Sequence, residues 1–269
     1  MISSVDFSSL VTMLYHDVAE IADFSSTGFT DVLADTYKLT PSDFVAHLDA
    51  IAAVRKDAPV LVNEQSKSRT NKSPWTITFD DGGVTALHPT ADLLDARGWR
   101  AHYFITTGRT GTPGFLDADG VRELKQRGHL IGAHSVTHPS RMADLDDVSL
   151  LREWKESRDA LESMLQAPVR VGSVPGGLYT DRVAQAAARA GLEILFNSEP
   201  TRRIRSVDGC IVLGRYAFKT QSPTQLVSDL ASENVLTMFN QWCTWNAKTA
   251  VKRISPSAFR VIRRLLTKH

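Results

Sequence analysis

Asp80 and Asp81 stand side by side ahead of Gly82 and Gly83, and two adjacent carboxylates can divide a hydrolytic task between them. In an extended segment neighbouring side chains point to opposite sides, which would give each acid its own role. The same Asp-Asp-Gly-Gly composition also suits a turn or a helix cap. His134 and His138 lie four apart in His134-Ser135-Val136-Thr137-His138-Pro139. That spacing lets two imidazoles face one metal ion, on a helical turn or on a folded-back loop. A lone pair of this kind is also what structural histidines look like. With an aspartate from another strand end it becomes a two-histidine, one-carboxylate set that leaves positions open for water and substrate. His16, in Leu14-Tyr15-His16-Asp17-Val18, can serve as acid or base near neutral pH, or pack as a core or capping histidine.

Each of these residues follows a short apolar run, so the runs must do the positioning. Strands are expected at 10–15, 75–79, 101–105, 130–133, 169–174, 194–196 and 210–213. Helical apolar patterns run over Val84–Leu94, Val121–Leu124 and Val183–Ala190, and each is closed by a glycine, Gly98, Gly128 and Gly191, suited to the left-handed position past a helix end. Two more helices fit Thr40–Val54, opened by Thr40-Pro41 with Asp43 behind, and 147–165. The polar stretch 55–73 reads as a surface loop with a short apolar piece. Strands alternating with helices make an α/β fold with a parallel sheet, in which chemistry collects at the carboxyl ends of the strands. The expected organisation is one barrel-like domain over 1–221 with a helical, basic extension over 222–269.

With 42% hydrophobic residues in 269, a large core can be buried. The net charge of +1 excludes a chain-wide electrostatic footprint for nucleic acid. Seven of the 31 bases and none of the acids follow Glu233, which leaves −6 on residues 1–233. Cys210 and Cys243 are too few for a disulfide framework or a thiolate zinc site; they could form one bridge, but read rather as two separate core thiols. The first residues show neither a basic n-region nor an apolar run of signal-peptide length, so the expected location is cytoplasmic. In 255–269, Phe259, Ile262 and Leu266 share a helical face opposite Arg260, Arg263, Arg264 and Lys268. Such a helix docks by its apolar face or lies on an anionic membrane, here the inner face.

Thr78-Phe79-Asp80-Asp81-Gly82 together with His134-Ser135-x-x-His138-Pro139 resembles the first two signature motifs of the polysaccharide deacetylases, carbohydrate esterase family 4 with its NodB-homology domain. The resemblance covers about 10–215 and implies a distorted (β/α) barrel of seven strands. It implies Asp80 as general base, and Asp81, His134 and His138 as ligands of a divalent metal, commonly zinc. Leu14-Tyr15-His16-Asp17-Val18 resembles the branch that includes poly-N-acetylglucosamine deacetylases, which makes His16 the general acid. Other positions depart from the pattern. Where the family has Arg-Pro-Pro-Tyr-Gly, this chain has Ser173-Val174-Pro175-Gly176-Gly177, without the arginine that orients the base and with Gly176 in place of the tyrosine. Phe196-Asn197-Ser198-Glu199-Pro200 replaces Asp-x-x-Asp-Trp, and Leu213-Gly214-Arg215 replaces the late Leu-x-His.

The implied reaction removes an N-acetyl or similar acyl group from a saccharide, such as a lipid-linked or exopolysaccharide precursor. Gly176 and Arg215 are the substrate-side candidates. The Gly176 N–H could face an oxyanion, and Arg215 could supply the missing charge beside Asp80 or sit on the surface. Acetyl-ester hydrolysis would need the same site. A metal-independent hydrolase of small amides and a sugar-binding protein without turnover share the fold, but retention of all three metal-ligand candidates argues against both.

Overall fold

A computed structural model describes residues 10–63 and 73–254. Nine strands form one sheet: β1 (Val11–Tyr15), β2 (Trp75–Phe79), β3 (His102–Ile105), β4 (Leu130–Ala133), β5 (Val171–Ser173), β6 (Ile194–Phe196), β7 (Arg205–Val207), β8 (Cys210–Leu213) and β9 (Tyr216–Ala217). The order is β7-β8-β6-β5-β4-β3-β2-β1-β9, parallel throughout except where β7 pairs with β8. Only Gly214 and Arg215 separate β8 from β9, and these two strands run the same way at opposite ends of the parallel array. One extended segment thus pairs first with β6 and then with β1, which curls the sheet toward a barrel of seven parallel positions. This is the distorted (β/α)7-type arrangement expected from the sequence.

The helices are α1 (Val32–Asp35), α2 (Pro41–Val54), α3 (Asp92–Asp95), α4 (Ala118–Gln126), α5 (Asp147–Leu165), α6 (Asp181–Arg189), α7 (Thr224–Ala231) and α8 (Val235–Ile254). The Thr40 hydroxyl accepts from the Asp43 N–H at the start of α2, with Pro41 inside, and the Asp146 carboxylate does the same for Ser149 at the start of α5. Gly98, Gly128 and Gly191 have φ of 67°, 89° and 87°, the left-handed conformation expected at helix ends. The stretch 84–95, expected to be one helix, is a 3-10 turn, a π turn and a single α turn. Pro89 has no amide to donate, and His88 leaves helical geometry at φ −125°, ψ 116°.

Side-chain alternation splits the buried residues into two layers. Tyr103 and Ile105 of β3, Leu195 of β6 and Trp75, Ile77 and Phe79 of β2 face outward and pack under the helices. Phe104, Leu130, Val171, Ile194, Phe196 and Leu213 turn the other way and fill the barrel. On the β1–β2 side the inward positions are polar: Thr12, Thr76 and Thr78 are buried, with His102 beside them. Val227, Leu230 and Ala231 of α7 and Met238 of α8 join the outer core. Of the expected loop 55–73, residues 55–63 are irregular with Leu61 and Val62 buried, while 64–72 fall outside the described residues. The expected amphipathic helix in 255–269 also lies outside them. Cys210 and Cys243 are both free thiols.

Candidate active site

The inward register of each strand, carried one step past its carboxyl end, delivers the site. β1 runs through Thr12 and Leu14 to His16, and β2 through Thr76 and Thr78 to Asp80. Leu130 and Gly132 lead to His134, Val171 leads to Ser173, and Leu213 leads to Arg215. Period-two geometry alone therefore gathers five side chains from five strands at one mouth of the barrel.

By the same alternation Asp81 would point outward. It is turned back by its backbone, whose φ of 75° lies in the left-handed region that non-glycine residues rarely adopt. The two acids diverge through a left-handed turn rather than through the extended segment the sequence suggested. Ser135 (φ 63°) and His138 (φ 56°) bend the histidine motif in the same way, so of the two expected arrangements the folded-back loop is the one adopted. Ser135 Oγ accepts the His138 N–H at 3.0 Å.

Asp81, His134 and His138 converge with ligating atoms all within 4.8 Å of one another. Asp81 Oδ1 lies 3.4 Å from His134 Nε2 and 3.3 Å from His138 Nε2. His134 Nδ1 donates to the Ser173 carbonyl at 2.9 Å, which aims Nε2 into the cluster. Asp81 Oδ1 is buried without a conventional hydrogen-bond partner. A buried carboxylate oxygen in want of a partner, facing two imidazole nitrogens, fits a divalent cation, and this donor set suits zinc. Burial opposes ionisation of Asp81, but the facing His134 and His138 imidazoles outweigh it and hold the carboxyl well below its usual range.

The loop carrying these histidines is braced by a residue that sequence reading passed over. Glu153 of α5, 5% exposed, accepts the N–H groups of Val136 and Thr137 at 2.9 Å each and the Thr137 hydroxyl at 2.7 Å. From the other side the Thr107 and Gly108 amides donate to the Ser135 and Val136 carbonyls. The available signal was an acid on the apolar stripe Leu150–Trp154–Leu161, where a charge needs a buried partner.

Asp80 is held by Arg215 in a two-pronged pair, Nη1 to Oδ1 at 2.7 Å and Nη2 to Oδ2 at 2.8 Å. Ser173, also unremarked in the sequence, donates to Asp80 Oδ2 at 3.1 Å and accepts from Arg215 Nη2 at 2.7 Å. The guanidinium also reaches Thr78 Oγ1 at 3.2 Å and the Asn197 carbonyl at 2.9 Å, and lies between the Phe104 and Phe196 rings. Burial would raise the Asp80 pKa, and Arg215 with His134 overcomes it, leaving the carboxyl below its usual value. Arg215 is 0% exposed and its donors are spent on the protein. Of the two places the sequence allowed for Arg215, the structure shows the one beside Asp80 and not the surface, with its donors turned to the protein.

His16 shares this mouth. Its ring is half-buried beside Tyr37 at 4.9 Å between centroids, and Nδ1 is buried without a hydrogen-bond partner. Burial lowers its pKa, with Asp81 and Asp80 partly offsetting the effect. Gly176 has φ 65°, and a Cβ there would collide with the Ser140 carbonyl. A close approach that requires glycine is therefore made by the chain itself.

Residues 67–195 match the family model for polysaccharide deacetylase, a span that holds Asp80, Asp81, His134 and His138 but neither His16 nor Arg215. A putative polysaccharide deacetylase of Bacillus subtilis, YheN, is 29% identical over 113 residues, covering 41% of this chain; the chain spans 39% of that relative's length. Among solved structures, the polysaccharide deacetylase BC0361 of Bacillus cereus superposes with a TM-score of 0.69 at 16% identity, over 82% of this chain and 68% of that one. A de-N-acetylase from Aggregatibacter actinomycetemcomitans gives 0.66 at 16% identity, over 82% and 99%. The structural likenesses concern the fold, and over residues 67–195, the part that carries Asp80, Asp81, His134 and His138, the chain is similar to the polysaccharide deacetylase family.

Proposed function

We propose that this protein is a metal-dependent hydrolase that removes an N-acetyl or similar acyl group from a saccharide. The observation that carries the reading is the pairing of two unlike carboxylates in one mouth. Asp81 faces two imidazoles with an unsatisfied oxygen, and Asp80, next in sequence, is clamped by Arg215 as an anion. Asp81, His134 and His138 would hold the ion, zinc by the chemistry of the donors. Such an ion supplies Lewis-acid polarisation of the acyl carbonyl and of the attacking water.

The chain's own groups account for the proton traffic. Asp80, ionised and fixed in orientation, accepts the proton of the attacking water. Arg215 and Ser173 keep the carboxylate in place and lower the cost of its burial. The negative charge developing on the acyl oxygen calls for a backbone donor, and the N–H of Gly176, exposed just after β5, is the candidate. His16, on a different strand, donates the proton that the leaving amine needs. The same groups would cleave an acetyl ester, where the leaving group needs that proton less. The experiment is an acetate-release screen over N-acetylated and O-acetylated saccharides, with protein stripped by chelator and reloaded with zinc. Release from an N-acetylated sugar that disappears on stripping and returns on reloading supports the reading; full activity in stripped protein contradicts it.

A further inference from the structure

His16 Nδ1 is buried without a hydrogen-bond partner, so nothing on that side of the ring fixes its direction. The main chain around His16, by contrast, is clamped on both sides. Ahead of it the Tyr15 carbonyl accepts the Asp80 N–H at 3.1 Å. Behind it stands Asp17, an acid only 4% exposed that the chemistry above leaves unused.

The Asp17 carboxylate reaches two loops at once. Its Oδ1 accepts the Thr85 hydroxyl at 2.5 Å and the Thr27 hydroxyl at 2.9 Å. Thr85 Oγ1 in turn accepts the Val18 N–H at 3.3 Å, so one threonine grips both residues that follow His16. The fit is close. A Cβ at Gly28 or at Gly83 would lie 2.0 Å from an Asp17 carboxylate oxygen, and each loop gives up a side chain to admit it. Gly83 is two residues past Asp81, so the end of β1 is tied to the turn that carries both aspartates. The Asp17 carbonyl accepts the Leu39 N–H at 3.0 Å, and two residues before Leu39 the Tyr37 ring packs on His16. Between them Lys38, 1% exposed, donates to the Thr27 carbonyl at 2.9 Å. Asp17, Thr27, Lys38 and Leu39 thus close a circuit of contacts beside the imidazole. Burial raises the Asp17 pKa, and the Thr85 hydroxyl bond opposes that shift. A buried carboxylate is costly, and here its acceptor capacity is spent on holding loops together.

We propose that Asp17 is a positioning residue of the reaction: through Thr85, Thr27 and Leu39 it fixes the backbone of His16 and the Tyr37 ring beside it, and so aims the imidazole at the leaving group. The inference rests on the saccharide deacylase reading, in which His16 is the proton donor, and adds what holds that donor in place. Asp17 transfers no proton and binds no ion; it acts through its neighbour.

A role that runs through His16 must show where His16 is needed. Rates are measured on zinc-loaded protein with the N-acetylated saccharide turned over fastest in the acetate-release screen, and with 4-nitrophenyl acetate, whose phenolate departs without a proton. Asp17→Asn, of nearly equal volume, is expected to lower kcat on the saccharide by about 10- to 100-fold at little-changed KM, and the aryl ester rate by less than about threefold. Asp17→Asn combined with His16→Ala should be no slower than His16→Ala alone, because the two losses are one. Zinc content should match the wild type. Thr85→Val removes the donor without touching the acid and should reproduce the pattern, and Thr85→Ser should restore the rate. Circular dichroism and the thermal transition are read on every variant, and the Thr85 pair carries the test should Asp17→Asn fail to fold. Unchanged saccharide rates, equal losses on both substrates, a loss that adds fully to that of His16→Ala, or departure of zinc would each overturn the role while the deacylase reading stands. No acetate release by the wild type from any saccharide would overturn the deacylase reading and this role with it.

Discussion

A carboxylate buried away from water stays an anion only if its neighbours hold it there, and for Asp80, the proposed general base, that work falls to Arg215. Lysine at 215 would replace a rigid fork by a point charge and forfeit the two-pronged grip. Arg215→Lys should lower kcat/KM by about 10- to 100-fold through lost positioning. Because the weaker clamp lets the Asp80 pKa rise, the acid limb of the rate profile should move to higher pH, and a limb that stays in place would show that Arg215 acts elsewhere. His16→Ala should cost about 10²–10⁴-fold, and less on substrates with better leaving groups. A donor must be protonated, and burial keeps His16 below the ordinary imidazole value of about 6.5, so the alkaline limb should fall below that value and flatten in the variant. Asp80, Asp81, His134 and His138 were legible in the sequence because each pair is local and sits just past an apolar run. For Arg215 the sequence left two places open, beside Asp80 or on the surface, since nothing in Leu213-Gly214-Arg215 shows that β8 and β9 bring it across to β2. Ser173 could have been read from parity, being two past Val171 on an inward face.

Strands were the most readable elements, because 194–196 and 210–213 are unbroken apolar runs and the other five expected runs keep apolar residues at alternate positions over most of their length. β7 and β9 went unread for the opposite reason: β7 has exposed Arg205 and Ser206, and β9 is two residues long and exists only through its pairing with β1. The break at His88 was missed because apolar spacing continues across Pro89 while the backbone does not. Glu153 shows what such elements contribute to the site. The α5 helix delivers one carboxylate to three donors of the histidine loop, so Glu153→Gln, of nearly equal volume, should loosen that loop while preserving the helix. Metal affinity, measured by competition with a chromogenic chelator, should fall about 10- to 100-fold, the usual effect of losing a residue that supports a ligand. Unchanged affinity would reduce Glu153 to a packing residue.

At the scale of the molecule, the barrel interior is polar on one side, and that sets a dependence on pH away from the catalytic mouth. His102 accepts the Val62 N–H at Nε2, 3.1 Å away, and its Nδ1 lies 3.2 Å from the Ile77 carbonyl, which fixes the neutral form. Burial brings its pKa down to about 4. The unfolded chain, with an ordinary imidazole near 6.5, therefore binds more protons between those two values. Stability should be full above about pH 6.5 and fall as pH drops toward 4, by roughly 3 kcal/mol from this group. Chemical denaturation across that window, compared with His102→Gln, should show a shallower slope in the variant; equal slopes would remove His102 from the account. The −6 charge of residues 1–233 and the basic residues beyond were plain in the sequence, whereas the packing of Met238 of α8 onto the outer core depends on tertiary contacts that no local pattern encodes.

The central claim is that two adjacent aspartates do different work, one as base and one as metal ligand. Metal content and acetate release should therefore be measured on the same preparations of wild type, Asp80→Asn and Asp81→Asn. The account predicts about one divalent ion per chain in the wild type and in Asp80→Asn, with turnover of an N-acetylated saccharide abolished in the latter, and loss of the ion in Asp81→Asn. Equal loss of metal in both variants, with comparable residual rates, would contradict it.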